Sequence, residues 1–218
     1  MSEEDAVVPG SALLVLDLMN DLVHPDGKKA GEGYHRAVDG RGVLDRAATA
    51  VERARAAGIP VVYVVIGFEP GYADWPAASP LFRARTDDDK PTLGTWGTTV
   101  HDRVAPRPGE PVVVKRRVSP FHGTHLDLLL RGLGVDTVLL TGVATELVVL
   151  SAAREAHDRD YRVRVLADAT ATGDPDVHEW ALRIIARTAE VTTVNAALPP
   201  VDTALPPADG ALPPADAR

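Results

Sequence analysis

Six short aliphatic runs punctuate the chain, at residues 12–16, 60–66, 111–114, 137–141, 162–166 and 190–194. The first four are rich in Val, Leu and Ile and lack polar alternation, the pattern of a strand buried on both faces of a parallel sheet, and the last two are shorter on aliphatics but β-branched. Residues 43–57 instead space their apolar side chains helically (Val43, Leu44, Ala47, Val51, Ala54), and Gly58 and Pro60 then close the helix and open the next strand. Residues 124–131, 146–159 and 176–187 read the same way. Strand followed by helix, repeated, predicts an α/β fold: an open, doubly wound parallel sheet with helices on both faces.

Two segments break this rhythm. Residues 20–41 and 67–107 are rich in Gly, Pro, Asp and Trp, have no regular period, and follow the C-terminal ends of predicted strands. Ligands bind on that side of such sheets, so both loops are expected to wall a pocket. From Ala197 the chain repeats ALPPVDT, ALPPADG and ALPPADA. Proline at that density cannot continue a helix and leaves little to bury. The expectation is one folded domain over 1–196 and an extended or disordered Pro/Ala-rich tail over 197–218.

The 218 residues, 45% hydrophobic and 25% charged, suit a single domain with a continuous core. A net charge of −8 gives the surface a field that repels phosphate backbones and anionic lipid, which argues against nucleic acid and membrane as partners. No window reaches the length of a membrane span, and the opening MSEEDAVVPG is acidic where a signal peptide is basic, so a cytoplasmic location is expected. The absence of cysteine removes disulfides, thiolate metal sites and thiol nucleophiles.

Candidate chemistry sits at strand ends. Asp17 closes the first aliphatic run, and Lys115, one of four lysines in the chain, follows the third. Either alone reads equally well as a capping carboxylate or a solvated strand end. Together they are more informative, because both strands can deliver their ends to one crevice. The fourth run ends in Thr141-Gly142-Val143-Ala144-Thr145-Glu146, a turn into a helix whose first N–H groups suit an anionic or developing oxyanion group.

The segments ALLVLDLMNDLVHPDG, VVVKRRVSPFHGTHLDLLL and LLTGVATELVVLSAAREA together resemble the isochorismatase-like hydrolase family over about residues 11–195. The resemblance implies a Rossmann-like sheet, with Asp17 as the acid/base aspartate and Lys115 as the family lysine. It also implies a cis peptide at Ala144–Thr145 beside an oxyanion region. Members of the family are commonly dimers or larger, so a homo-oligomer is expected. Most carry a nucleophilic cysteine where this chain has Val148, and a glutamine where it has Met19. A nicotinamidase-type metal site has no counterpart in residues 67–72, and neither metal nor cofactor is expected. Valine offers no nucleophile, so an acyl-enzyme route cannot run through that position.

The expectation is an enzyme that hydrolyses a small polar metabolite without a cysteine. Asp17 acts as general acid/base with Lys115, most concretely in vinyl-ether cleavage of the isochorismate type. The substrate-binding or oxyanion region is expected to include Ala144, Thr145, Glu146, Val148, Met19, Trp96 and Phe121, with Trp75 as a further lid candidate. Thr145 and Ser151 are weaker, replacement nucleophiles. His122 and His125 lack a third ligand, and residues 87–90 read as a solvated run. Two alternatives stand beside this reading: a catalytically silent binding or scaffold protein, and a non-hydrolytic enzyme that rearranges or eliminates on the same fold.

Overall fold

A computed structural model describes residues 10–83 and 85–200. Six strands, β1 (Ser11–Leu16), β2 (Val61–Ile66), β3 (Val112–Lys115), β4 (Thr137–Val143), β5 (Arg162–Ala171) and β6 (Glu190–Thr192), form one parallel sheet in the order β3-β2-β1-β4-β5-β6. The order reverses between β1 and β4, which makes the crevice beyond their C-terminal ends the switch point.

The helices are α1 (Asn20–Val23), α2 (Tyr34–Gly40), α3 (Val43–Ala56), α4 (Pro80–Arg83), α5 (Leu126–Gly132), α6 (Leu150–His157), α7 (Pro175–Ile185) and α8 (Val194–Ala197). Side chains alternate across a strand, so each strand feeds two cores. On one face Leu13, Val15, Tyr63, Val65 and Leu139 pack with Ala47, Ala50, Val51 and Ala54 of α3 and with Val194 and Ala197 of α8. On the other, Leu14, Leu16, Val62, Val64, Val138 and Leu140 meet Leu126 and Leu130 of α5, Ala152, Ala153 and Ala156 of α6, and Ile185 of α7. Each large aliphatic side chain buried in this way contributes about 1.5–3 kcal/mol. Among the described residues, no helix is long and apolar enough to cross a membrane.

The boundaries differ from the expected ones where polar residues interrupt the aliphatic pattern. β5 runs five residues past the expected 166, because Thr170 and Ala171 continue the pairing with Gly142 and Val143 after a register shift. The Thr141 hydroxyl helps by donating to the Ala169 carbonyl at 2.7 Å. β6 stops at Thr192, and the Thr193 side chain caps α8 by accepting from the Ala196 N–H. The folded part also extends beyond residue 196, since Ala197 and Leu198 are buried against the α3 face. The repeats from residue 201 onward lie outside the described residues.

One position controls how closely β1 and β4 approach at the crevice. Gly142 has φ of +132°, and a Cβ there would sit 1.9 Å from the backbone oxygen of Leu16. No side chain satisfies both constraints without moving the strand ends that carry Asp17 and Ala144. Gly142→Ala is therefore expected to lower stability by about 3 kcal/mol or more. Chemical denaturation would show it, and a loss under about 0.5 kcal/mol, the range of an ordinary surface substitution, would refute the constraint.

Candidate active site

β1 ends in a sharp exit. Asp17 takes φ of +54°, a left-handed conformation that aspartate tolerates better than most residues, and its N–H donates to the Val64 carbonyl at 2.8 Å. This turns the carboxylate inward, leaving the residue only 4% exposed. Lys115, the last residue of β3, lies two strands away, with β2 between them. Strands lie about 4.8 Å apart, so a long side chain is required to cross. The lysine does so: its Nζ stands 2.9 Å from Asp17 Oδ2 and donates to the Arg117 carbonyl at 3.2 Å, with the residue 2% exposed.

The other oxygen of Asp17, Oδ1, is buried and has no hydrogen-bond partner. Burial raises the Asp17 pKa above the ordinary carboxylate value, and the Lys115 ammonium works against that rise. The dyad thus sets burial, which favours the acid, against a cation, which favours the carboxylate.

Asp17 and Lys115 share a cavity of about 100 Å³ with Met19, Ile66, Val118, Val143, Ala144, Leu147 and Val148. Its outer wall comes from the two irregular loops: Asp21, Leu22, Lys29, Glu32 and Tyr34 from one, and Trp75, Leu81, Phe82, Arg85, Asp89 and Pro91 from the other. Trp75 is fixed edge-on against Phe68 and Phe82, at 4.7 and 5.2 Å between ring centroids. The loops are joined by charge: Arg85 Nη1 donates to Glu32 at 2.5 Å, and Lys29 Nζ lies 3.5 Å from Glu32 and 3.8 Å from Asp89. Burial lowers the Lys29 pKa, aided by Arg85 and opposed by the two carboxylates.

The floor beyond β4 departs in detail from the expected geometry. The cis bond joins Val143 to Ala144, one bond earlier than the resemblance implies. The helix expected from residue 146 opens as a wide π turn over Thr145–Val149 before α6 begins. Val148 and Ala144 face the cavity, whereas Thr145 and Glu146 are absent from its lining. Thr145 is fully buried, and its hydroxyl is engaged with His178 Nδ1 at 2.9 Å. That bond pins the turn to α7. Glu146 is half-buried behind the cavity wall, close enough to Tyr34 to help raise its pKa, with Oε2 unpartnered among the described residues.

Two expected aromatic wall residues also lie elsewhere. Trp96 is 52% exposed and meets His24 edge-on at 4.9 Å. Phe121 is buried in the α5/α6 core, near Tyr161. Trp75 lines the cavity instead, because its loop folds back over the ends of the strands. The run at 87–90 is not simply solvated: Asp89 lines the cavity, and Lys90 Nζ sits 4.5 Å from the centre of the Tyr72 ring. His122 and His125 are exposed, and among the described residues no group of three His, Asp or Glu side chains is placed to hold a metal. Lys29, Glu32, Tyr34, Arg85 and Asp89 carry no periodic or motif signal that would have singled them out.

Comparison with known proteins places this geometry. Residues 11–196 match the isochorismatase domain. A ureidoacrylate amidohydrolase, RutB, of Methylorubrum extorquens is 36% identical over 205 residues, covering 86% of this chain and 82% of the relative. The RutB of Pseudomonas savastanoi pv. phaseolicola is 33% identical over 186 residues, with 79% of this chain and 76% of that protein covered. Among solved structures, an isochorismatase family protein from Desulfovibrio vulgaris superposes with a TM-score of 0.75 at 30% identity, covering 86% of this chain and 95% of its own. N-carbamoylsarcosine amidase from Thermoplasma acidophilum gives 0.66 at 30% identity, covering 85% and 96%. The chain belongs to the isochorismatase-like hydrolase family.

Proposed function

We propose that the protein hydrolyses a small substrate containing an electron-rich double bond, a vinyl ether or an N-vinyl amide, by proton transfer from Asp17 to carbon. The observation that carries the reading is the pairing of an unpartnered, buried Asp17 Oδ1 with a cavity lining that, among the described residues, holds no serine, threonine or cysteine. Val148 occupies the wall where the family resemblance puts a thiol. A covalent acyl route has no such nucleophile there, whereas acid catalysis at carbon needs none.

The steps balance as follows. Protonated Asp17 delivers its proton to the terminal alkene carbon, and the neighbouring oxygen or nitrogen lone pair stabilises the resulting cation. The carboxylate left behind is held by the Lys115 ammonium at Oδ2, so charge separation at the acid becomes an ion pair. Water attacks the cationic carbon, Asp17 takes the proton released, and the adduct collapses to a carbonyl compound and an alcohol or amide. One water is consumed, and Asp17 returns to its starting form.

A second reading is direct hydrolysis of the amide bond, with Asp17 as the base that activates water; the amidohydrolase names of the relatives favour it. N-vinylacetamide separates the two by product. Protonation at carbon yields acetamide and acetaldehyde, and in heavy water the new methyl group carries one solvent deuterium. Amide hydrolysis yields acetate. We expect acetamide with deuterated acetaldehyde, and turnover reduced by about 10²-fold or more in Asp17→Asn. Acetate as the product, or full turnover in the variant, would overturn the mechanism.

The pH dependence follows from the raised Asp17 pKa. The acid form is needed, so kcat is expected to hold at low pH and to fall as pH rises through that pKa. The same shift means that the folded state binds the proton more tightly than the unfolded chain, so this group's contribution to stability also declines as pH rises between the two values. Lys115→Met removes the cation that opposes the rise and should move the descending limb to higher pH. A limb that stays in place or moves to lower pH would refute the coupling.

A further inference from the structure

The cavity contains a second carboxylate that the proton-transfer chemistry does not use. Asp21 is 3% exposed, and its Oδ2 is buried with no hydrogen-bond partner. Its Oδ1 accepts one long bond, from the Lys28 N–H at 3.3 Å, and among the described residues the side chain forms no ion pair. A buried carboxylate with a single weak donor is costly to maintain unless something else donates to it.

The surrounding backbone holds this group firmly in place. Asn20 N–H donates to the Thr99 carbonyl, Asn20 Nδ2 donates to the Trp96 carbonyl, and His101 N–H donates to the Leu18 carbonyl. These bonds staple α1 to residues 96–101. Gly97 then lies directly against the carboxylate, and a Cβ there would fall 2.2–2.3 Å from Cγ and both oxygens. Gly27 makes a similar close approach to the Asn20 carbonyl, which brings the Lys28 N–H within reach. Two glycines and a stapled turn thus fix the side chain of Asp21, a residue that lines the cavity containing Asp17 and Lys115. The two cations of the outer wall are engaged elsewhere: Arg85 with Glu32, and Lys29 with Glu32 and Asp89.

We propose that Asp21 is a specificity-determining residue whose Oδ2 accepts a hydrogen bond from an N–H group of the substrate. This rests on the reading of the Asp17 cavity as the substrate site, and it narrows the class. The substrate carries an amide, ureido or amino nitrogen bearing hydrogen, and a plain vinyl ether leaves Oδ2 unsatisfied. The group selects by the penalty it imposes on ligands that lack the donor.

Binding of two inert isosteres tests this without any turnover. N-ethylacetamide and ethyl acetate differ by one N–H replaced by oxygen, and ligand-observed NMR titration gives both dissociation constants. Wild type should bind the amide at least about tenfold more tightly. Asp21→Asn keeps the shape; with its oxygen toward the Lys28 N–H it turns an NH₂ group into the cavity, so the preference should fall to about unity or reverse. Asp17→Asn should keep the preference, which separates Asp21 from Asp17 as the acceptor. Equal binding of the two ligands by wild type, no binding of the amide, or a preference unchanged in Asp21→Asn would each overturn the assignment. A retained preference with no conversion of N-vinylacetamide would instead count against the proton-transfer reading alone.

Discussion

The Asp17–Lys115 contact across the end of β2 is the interaction on which the crevice depends. Both groups are almost wholly removed from water, and each is the other's nearest opposite charge, at 2.9 Å. Their meeting requires three strands in register, since Leu16 pairs with Val64 on β2 and Lys115 pairs with Ile66 on the same strand. A shift of one residue in any of them would point a side chain to the opposite face. The pair is therefore a readout of sheet geometry as well as a chemical group, and its position at the switch point follows from the strand order.

Around that pair the two irregular loops create an environment that differs from bottom to top. The floor is aliphatic, with Val143 at the end of β4 and Leu147 and Val148 in the helical turn that follows. The rim is charged: Glu32 and Asp89 answer Arg85 and Lys29, while the Asp21 carboxylate stands outside these pairs. An apolar floor raises the cost of ionising Asp17, and the rim cations, paired with Glu32 and Asp89, do not offset that cost. The same cavity thereby raises the Asp17 pKa and suits a ligand of modest charge. Its volume of about 100 Å³ suits a molecule of few heavy atoms.

The wide turn at Thr145–Val149 shows how a helix start is adapted to the floor. The Ala144 carbonyl accepts from both Leu147 and Val149, at 3.2 and 3.3 Å, so the first turn is broader than an α-helical one. The Thr145 to His178 bond ties that turn to α7, with Val148 lining the cavity. Burial lowers the His178 pKa, which favours the neutral ring in this contact.

Much of the fold was legible in the sequence because the strands are buried on both faces. Continuous runs such as 12–16 and 60–66 leave few other solutions, and Asp17 and Lys115 stood out by interrupting such runs. β5 was harder to bound, because Asp168 and Thr170 make its second half look like a loop until the pairing with Gly142 and Val143 is known. Trp96 and Phe121 were misplaced for a related reason: an aromatic in or beside a loop has no period to say which way it faces. Lys29, Arg85 and Asp89 were silent in the sequence, since they are brought to the cavity by loop paths. The sequence by itself determined the sheet, the strand-end dyad and the lack of a thiol, because burial patterns and residue chemistry are local properties. Only the tertiary structure decided which loop residues reach that dyad and which buried oxygens lack a donor, because those depend on distances between segments that no local pattern encodes.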